Sequence, residues 1–361
     1  MGEQKRIGIL TSGGDCAGLN AVIRAVTHRA INGYNWEVLG ICRATLGLMQ
    51  QPPEFIRLDL EKAYPLLIAG GTILGTTNKG NPFAFPMPDG SFMDRSEDII
   101  RGYHELGLDA LIGIGGDGSL AILRKLAQQG KMNLVAIPKT IDNDLGITEH
   151  CIGCDTAVNI ATEALDRLHF TAASHSRVMI LEVMGRDAGH IAISAGIAGG
   201  ADVILIPEIP YTVANVCNAI RRLNEKGRNF ALIVVAEAVC TEEGCQVKQT
   251  GYAGEVRLGG IGHYLAERIT GCSNAEVRVT TLGHVQRGGT PSPLDRLVAT
   301  AFGVAAVDLI AAEKYDRMVT WQSRKVVSVP IVDAIATYSA VDPEGALVTT
   351  ARGMGICLGD S

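Results

Sequence analysis

The chain has 361 residues, 47% hydrophobic and 19% charged, with a formal net charge of −6. That length exceeds what one hydrophobic core usually serves, so two domains are expected. The mildly acidic balance argues against non-specific binding to nucleic acid or an anionic membrane, and confines any cationic site to a local pocket.

No run approaches the roughly 18 apolar residues of a membrane span. The opening "MGEQKRIGIL" enters a strand at once, without the apolar stretch of a signal peptide. Nine cysteines, an odd number scattered along the chain, fit reduced thiols and a cytoplasmic location better than a disulfide framework. Cys151 and Cys154 form one CxxC, but no second pair stands at a zinc-site spacing, so they read as ordinary thiols.

Strands and helices alternate along the chain. "RIGIL" is a strand, followed by the turn "TSGGDCAG" and a helix with apolar residues at Leu19, Val22, Ile23, Val26 and Ile31. "WEVLGIC" and "DALIGIGG" are further strands. "SLAILRKLAQQG" is a helix closed by Gly130, and "NLVAIP" a fourth strand. The pattern restarts with the helix "DTAVNIATEALDRLHF", for which Asp155 is the expected N-cap. "VMILEV", "DVILIP", "FALIVVAEA" and "EVRVTTLGH" are later strands. "VANVCNAIRRLNEKG" and "PLDRLVATAFGVAAVDLIAAEKY" are helices. Continuous Val/Ile/Leu strands between helices imply an α/β protein with two doubly wound, Rossmann-like domains built on parallel sheets. Ligands in such folds sit beyond the carboxyl ends of strands, so the residues there carry the functional reading.

Five strand ends carry chemistry. The glycines of Thr11–Asp15 let backbone N–H groups approach an anion, or make a tight strand-to-helix turn. In "GIGGDGS", Asp117 stands among Gly116, Gly118 and Ser119, which suits phosphates and the Mg²⁺ that accompanies them. In "PKTIDND", Asp142 and Asp144 hold a metal, take a hydroxyl proton, or end an Asx turn. Arg186 in "MGRDAG" suits a bidentate grip on a phosphoryl group or a structural carboxylate. Arg177 enters that same strand. Around "RVTTLGHVQRGG", Arg278, His284 and Arg287 suit a second phosphate. Glu237, ending an apolar strand, suits sugar hydroxyls. Together these describe phosphoryl transfer to a hydroxyl of a phosphorylated sugar.

The segments "TSGGDCAGLNAVIR", "GGDGS", "PKTIDND", "MGRDAGH" and "GHVQRGGTPSPLDR" resemble the 6-phosphofructokinase family, in order, from residue 5 to about 335. Within the family the motifs resemble the A type and its mixed-substrate subgroup. The resemblance implies a donor domain of residues 1–150 plus about 286–320, and a fructose-6-phosphate domain of 151–285 plus about 321–361. It implies that Asp142 is the base for the sugar 1-hydroxyl, flanked by Thr140, Ile141 and Asp144. Asp117 holds Mg²⁺. Gly13, Gly14, Asn78, Lys79, Gly116, Gly118 and Ser119 cradle the donor. Met184, Gly185 and Arg186 hold the sugar phosphate and the transferring group, and Glu237 a sugar hydroxyl. His284 and Arg287 take the 6-phosphate. Arg177 and Arg278 resemble residues that reach in from a neighbouring subunit, which implies a tetramer or dimer.

Two family signals conflict over the donor. Glycine at 118 accompanies nucleotide donors, because an aspartate there would close the space beyond the transferred phosphate. Lysine at 139 accompanies pyrophosphate, where it touches the leaving phosphate. A lysine can assist either leaving group whereas an aspartate rejects one, so ATP is expected first, then ADP or pyrophosphate. His28 and His169 stand where arginines are common in the family's effector site, beside Arg24, Lys226 and Arg228. Effector responses are therefore expected to be weak and to strengthen toward about pH 6.

Overall fold

Fully buried Ile7, Ile9 and Leu10 place the Arg6–Thr11 strand at the centre of a sheet, as continuous apolar runs require. The computed structural model describes residues 4–250, 256–272 and 275–360. That sheet has seven strands in the order Lys325–Pro330, Arg317–Gln322, Leu134–Pro138, Ala110–Gly115, Arg6–Thr11, Glu37–Ile41 and Phe55–Leu58. The five inner strands run parallel, while the two outermost pair antiparallel to their neighbours. A second sheet, of four parallel strands, runs Glu276–Thr281, Arg177–Val183, Ala231–Ala236 and Val203–Leu205.

The chain forms two compact units. The first takes in residues up to Thr140, Leu145–Asp155 and Arg287–Tyr338; the second takes in Ile141–Asp144, Thr156–Gln286 and residues from Ser339 on. Residues 321–338, expected in the sugar domain, instead fall in the first unit, where the strands up to Pro330 complete the seven-stranded sheet. The hairpin Arg317–Gln322 to Lys325–Pro330 turns on Ser323 and Arg324, both at positive φ (49° and 63°). Two left-handed residues make the tight turn that matches strand twist. Ser-Arg carries none of the usual Asn-Gly signal for such a turn, so the sequence did not announce it.

Three local expectations change. The helix Asp117–Gly130 is closed by Lys131 in the left-handed conformation, not by Gly130. A Cβ on Gly130 would come within 2.7 Å of Ile100, so this glycine permits close helix packing. Asp155 lies inside the first turn of the helix Cys154–His175, and its carboxylate accepts from the Ser292 hydroxyl at 2.5 Å. Finally, the cysteines are not all reduced. Cys217, on the helix Val213–Glu225, is joined to Cys272, just past the helix Ile261–Thr270, across 55 residues of chain. Packing of those helices brings the pair together, which sequence spacing cannot reveal.

Candidate active site

In the first unit, the connections from Arg6–Thr11 and Ala110–Gly115 depart in opposite directions across the sheet, leaving a crevice beyond their carboxyl ends. The turn after Thr11 is pinned there: Ser12 N–H donates to the Ile114 carbonyl (2.8 Å) and Gly13 N–H to that of Thr77 (2.9 Å). The Thr76 hydroxyl donates to the Gly13 carbonyl at 2.7 Å. Gly13 has φ 84°, and a Cβ there would lie 3.0 Å from Ser119 Oγ and 3.4 Å from Lys139 Nζ. A Cβ on Gly14 would lie 2.6 Å from Arg287 Nη1. Glycine is thus required by close approach as well as by conformation.

Lys139 is 5% exposed, and its Nζ donates to the Gly14 carbonyl at 2.5 Å. Arg287 Nη1 donates to the Asp15 carbonyl at 3.1 Å. Two cations therefore hang from the main chain of the glycine turn. Gly116 N-caps the helix Asp117–Gly130 with no side-chain cap, which leaves first-turn N–H groups for an anion. The Asp117 carboxylate is exposed in that first turn. A Cβ on Gly118 would meet no heavy atom within 4 Å. Asn78 and Lys79 are exposed on the Thr77 turn, where Lys79 N–H donates to Thr77 Oγ1 at 3.1 Å. Among the described residues no group of three or more His, Cys, Asp or Glu is arranged for a metal. Mg²⁺ carried on nucleotide phosphates asks for only one or two protein carboxylates, and Asp117 fits that demand.

In the second unit, the short segment Ile141–Asp144 buries Ile141 (1% exposed) and Asp142 (9% exposed). Asn143 takes a positive φ of 52°, which asparagine tolerates. At the carboxyl ends of the four-stranded sheet, Glu237 N–H donates to Val183 O (2.9 Å) and Leu282 N–H to Glu182 O (3.1 Å). These bonds align Met184-Gly185-Arg186 beside Glu237 and beside the turn Gly283–Arg287, which presents an exposed His284. Gly185 has φ 149°, and a Cβ there would come 2.7 Å from the Ala188 carbonyl. The Arg186 side chain is 80% exposed, with the Asp187 carboxylate 3.8 Å away. So separated and exposed a pair contributes little, which leaves the guanidinium available to an anion.

Arg278 stands apart from His284 and Arg287: it pairs in register with Met179 within the sheet, while the other two lie on the turn Gly283–Arg287 past the strand's carboxyl end. Arg177 and Arg278 instead share the Glu276 carboxylate, with Arg177 Nε at 2.7 Å. The hydrogen bond from Arg177 holds the Glu276 carboxyl below its ordinary range. From Arg177 to Met184 is about 20 Å of extended strand. Within one chain these two arginines therefore stay clear of the Met184 turn.

Two supporting residues escaped the reading from sequence. Glu182, 1% exposed, accepts from Gly260 N–H (2.9 Å) and Gly262 N–H (2.8 Å). Its signal was visible, a carboxylate inside the apolar run "VMILEV". Gln286, also 1% exposed, accepts from Met184 N–H at 2.7 Å and so holds the Met184–Arg186 turn. No sequence cue separates it from its neighbours. The structure also alters the expectation for His28: burial, and then Arg24, push its imidazole below the ordinary 6.5. Protonation at this position therefore requires a lower pH than an unperturbed histidine would.

Comparison with known proteins gives one consistent result. The family described as Phosphofructokinase matches residues 6–310. The chain is 69% identical to ATP-dependent 6-phosphofructokinase 1 of a Nostoc species over 360 residues, covering 100% of both chains. It is 68% identical to the protein of that name from a Synechocystis species, again over 100% of both. Among solved structures, phosphofructokinase of Pichia pastoris in the T-state aligns with a TM-score of 0.79 and 29% identity. That alignment covers 92% of this chain and 38% of the longer one. A match over most of its length, on a fold and strand ends of this kind, places the chain in the phosphofructokinase family.

Proposed function

We propose that the chain is an Mg²⁺-dependent, cytoplasmic 6-phosphofructokinase of glycolysis that uses ATP. It transfers the γ-phosphoryl group to the 1-hydroxyl of fructose 6-phosphate, giving fructose 1,6-bisphosphate and ADP. Full-length identity of 69% to a protein named ATP-dependent 6-phosphofructokinase carries this reading. No helix among the described residues is long and apolar enough to cross a membrane.

In this reading Asp142 takes the proton of the 1-hydroxyl as that oxygen bonds to the γ-phosphorus and the bond to the β-phosphate oxygen breaks. Burial of Asp142 supports the role, since a dry carboxylate is a stronger base than a solvated one. Thr140, Ile141 and Asp144 shape the acceptor side. Lys139 and the Gly13-Gly14 main chain meet the departing phosphates. Asp117 holds the Mg²⁺, which would offset phosphate charge as it shifts toward the leaving group. Arg186 and Met184-Gly185 grip the transferring group and sugar phosphate, Glu237 a hydroxyl, and His284 and Arg287 the 6-phosphate. Arg177 and Arg278 serve a neighbouring subunit's site, which makes the enzyme an oligomer, a tetramer in this reading.

The open space at Gly118 supports a nucleotide over pyrophosphate, despite Lys139. The test is a donor panel of ATP, ADP and pyrophosphate on wild type and Gly118→Asp. Wild type should prefer ATP. Gly118→Asp should lose ATP turnover by about tenfold or more while melting as wild type does, because the new side chain meets solvent rather than protein. A wild type that prefers pyrophosphate contradicts the donor assignment.

A further inference from the structure

Residues Ser339–Val341 open the C-terminal segment of the second unit, and each of their backbone bonds leads toward the site. Ser339 N–H donates to the Asp144 carbonyl at 2.8 Å. The Ser339 carbonyl accepts from His190 Nε2 at 3.0 Å. Val341 N–H donates to Glu208 Oε1 at 2.8 Å, and that same oxygen accepts from Gly189 N–H at 3.0 Å. Gly189 caps the helix His190–Ala198 three residues after Arg186. A Cβ on Gly189 would come 2.4 Å from Ile206 and 2.9 Å from Glu208 Oε2, so only glycine allows this approach.

The far end of the segment is fastened independently. Cys357 pairs in parallel with Val203, at the edge of the four-stranded sheet. Ile204 N–H donates to Cys357 O (2.9 Å), Cys357 N–H to Asp202 O (3.0 Å), and Thr212 N–H to Gly359 O (2.9 Å). The segment is thus anchored on the sheet at one end and tied to two functional turns at the other.

We propose that Ser339–Val341 is a strap that fixes the Asp142 loop relative to the Met184–Arg186 turn, with His190 and Glu208 as positioning residues for phosphoryl transfer. The proposal rests on Asp142 being the base. A four-residue segment such as Ile141–Asp144 cannot build secondary structure of its own, so ties to its main chain decide where its carboxylate sits. Displacement of a reacting group by about 1 Å costs roughly a hundredfold in rate. Glu208 makes charge-assisted bonds to both turn and strap, and His190 reaches the strap from the helix that the turn begins.

The test compares His190→Ala, His190→Gln, Glu208→Ala and Glu208→Gln, with Asp142→Asn as reference. His190→Ala should lower kcat about tenfold while KM for ATP stays within about twofold, since the donor side is untouched. Gln at 190 retains a donor and should restore most of the loss. Glu208→Ala should lower kcat and also raise KM for fructose 6-phosphate, because that carboxylate holds Gly189 beside Arg186. Glu208→Gln retains an acceptor and should fall between. If both alanine variants keep wild-type kcat while Asp142→Asn collapses, the strap is wrong and the base stands. If Asp142→Asn keeps wild-type kcat, the base reading fails instead. Losses that follow the melting temperature across the series, with no rescue by the Gln variants, also overturn the proposal, since they report stability alone.

Discussion

The strand ends of the two sheets present their cations in opposite ways. In the first unit the cations are tied to the main chain: Lys139 is 5% exposed and bonded to the Gly14 carbonyl, and Arg287, partly buried, is bonded to that of Asp15. In the second unit Arg186 is 80% exposed at its side chain and His284 is exposed, with only the turns beneath them held firmly. A cation already fixed by the main chain loses little conformational freedom when an anion arrives, whereas an exposed arginine must be ordered by its ligand. In the proposed reading the donor would meet a prepared cradle, and the sugar phosphate side chains that order around it.

The strongest way to break this comparison is at the base. Asp142→Asn should cut kcat by about 10²–10⁴-fold with fructose 6-phosphate binding nearly intact, the range for general-base catalysis. Steady-state rates and equilibrium binding measured together check both parts. Retention of kcat would remove the functional reason for burying this carboxylate.

A second measurement sharpens the account of the exposed side. Arg177 and Arg278 lie about 20 Å along the strand from the Met184 turn, which is the arrangement expected if they complete another subunit's site. Inactive Arg278→Ala and inactive Asp142→Asn subunits, exchanged into hybrids, should recover partial activity. Hybrids shown to form by native mass spectrometry yet remaining inactive would mean that each site is complete within one chain.

A smaller effect concerns pH. Lowering of the His28 pKa by burial and by Arg24 keeps its imidazole neutral to below the ordinary 6.5. The neutral form is favoured in the folded chain, so any gain in anion attraction from protonating His28 appears only as pH falls below the shifted value. Phosphoenolpyruvate or nucleotide response should therefore be the same, within about twofold, in wild type and His28→Asn between pH 7.5 and 6.5. A pH-dependent strengthening that His28→Asn abolishes in that interval would contradict this.

Much of this was legible in the sequence. Apolar runs between helical patterns announced parallel sheets, and the glycines, carboxylates and arginines just past those runs marked the strand ends. The antiparallel hairpin at 317–330 was not legible, because Ser323 and Arg324 adopt left-handed conformations that their residue types rarely signal. Nor was the separation of Arg278 from His284. Arg278 lies three residues before the end of its strand and His284 in the turn beyond it, so the extended chain carries the two apart. The Cys217–Cys272 link and the 339–341 strap depend on packing between segments far apart in sequence, for which no local pattern exists.

The division of labour between the two regions is tested most directly by equilibrium titration of each ligand against one variant from each. Lys139→Gly should weaken binding of a non-hydrolysable ATP analogue about tenfold or more and leave fructose 6-phosphate affinity within about twofold. Arg186→Ala should do the reverse. Loss of both ligands in either variant, or loss of sugar phosphate alone in Lys139→Gly, would contradict the account.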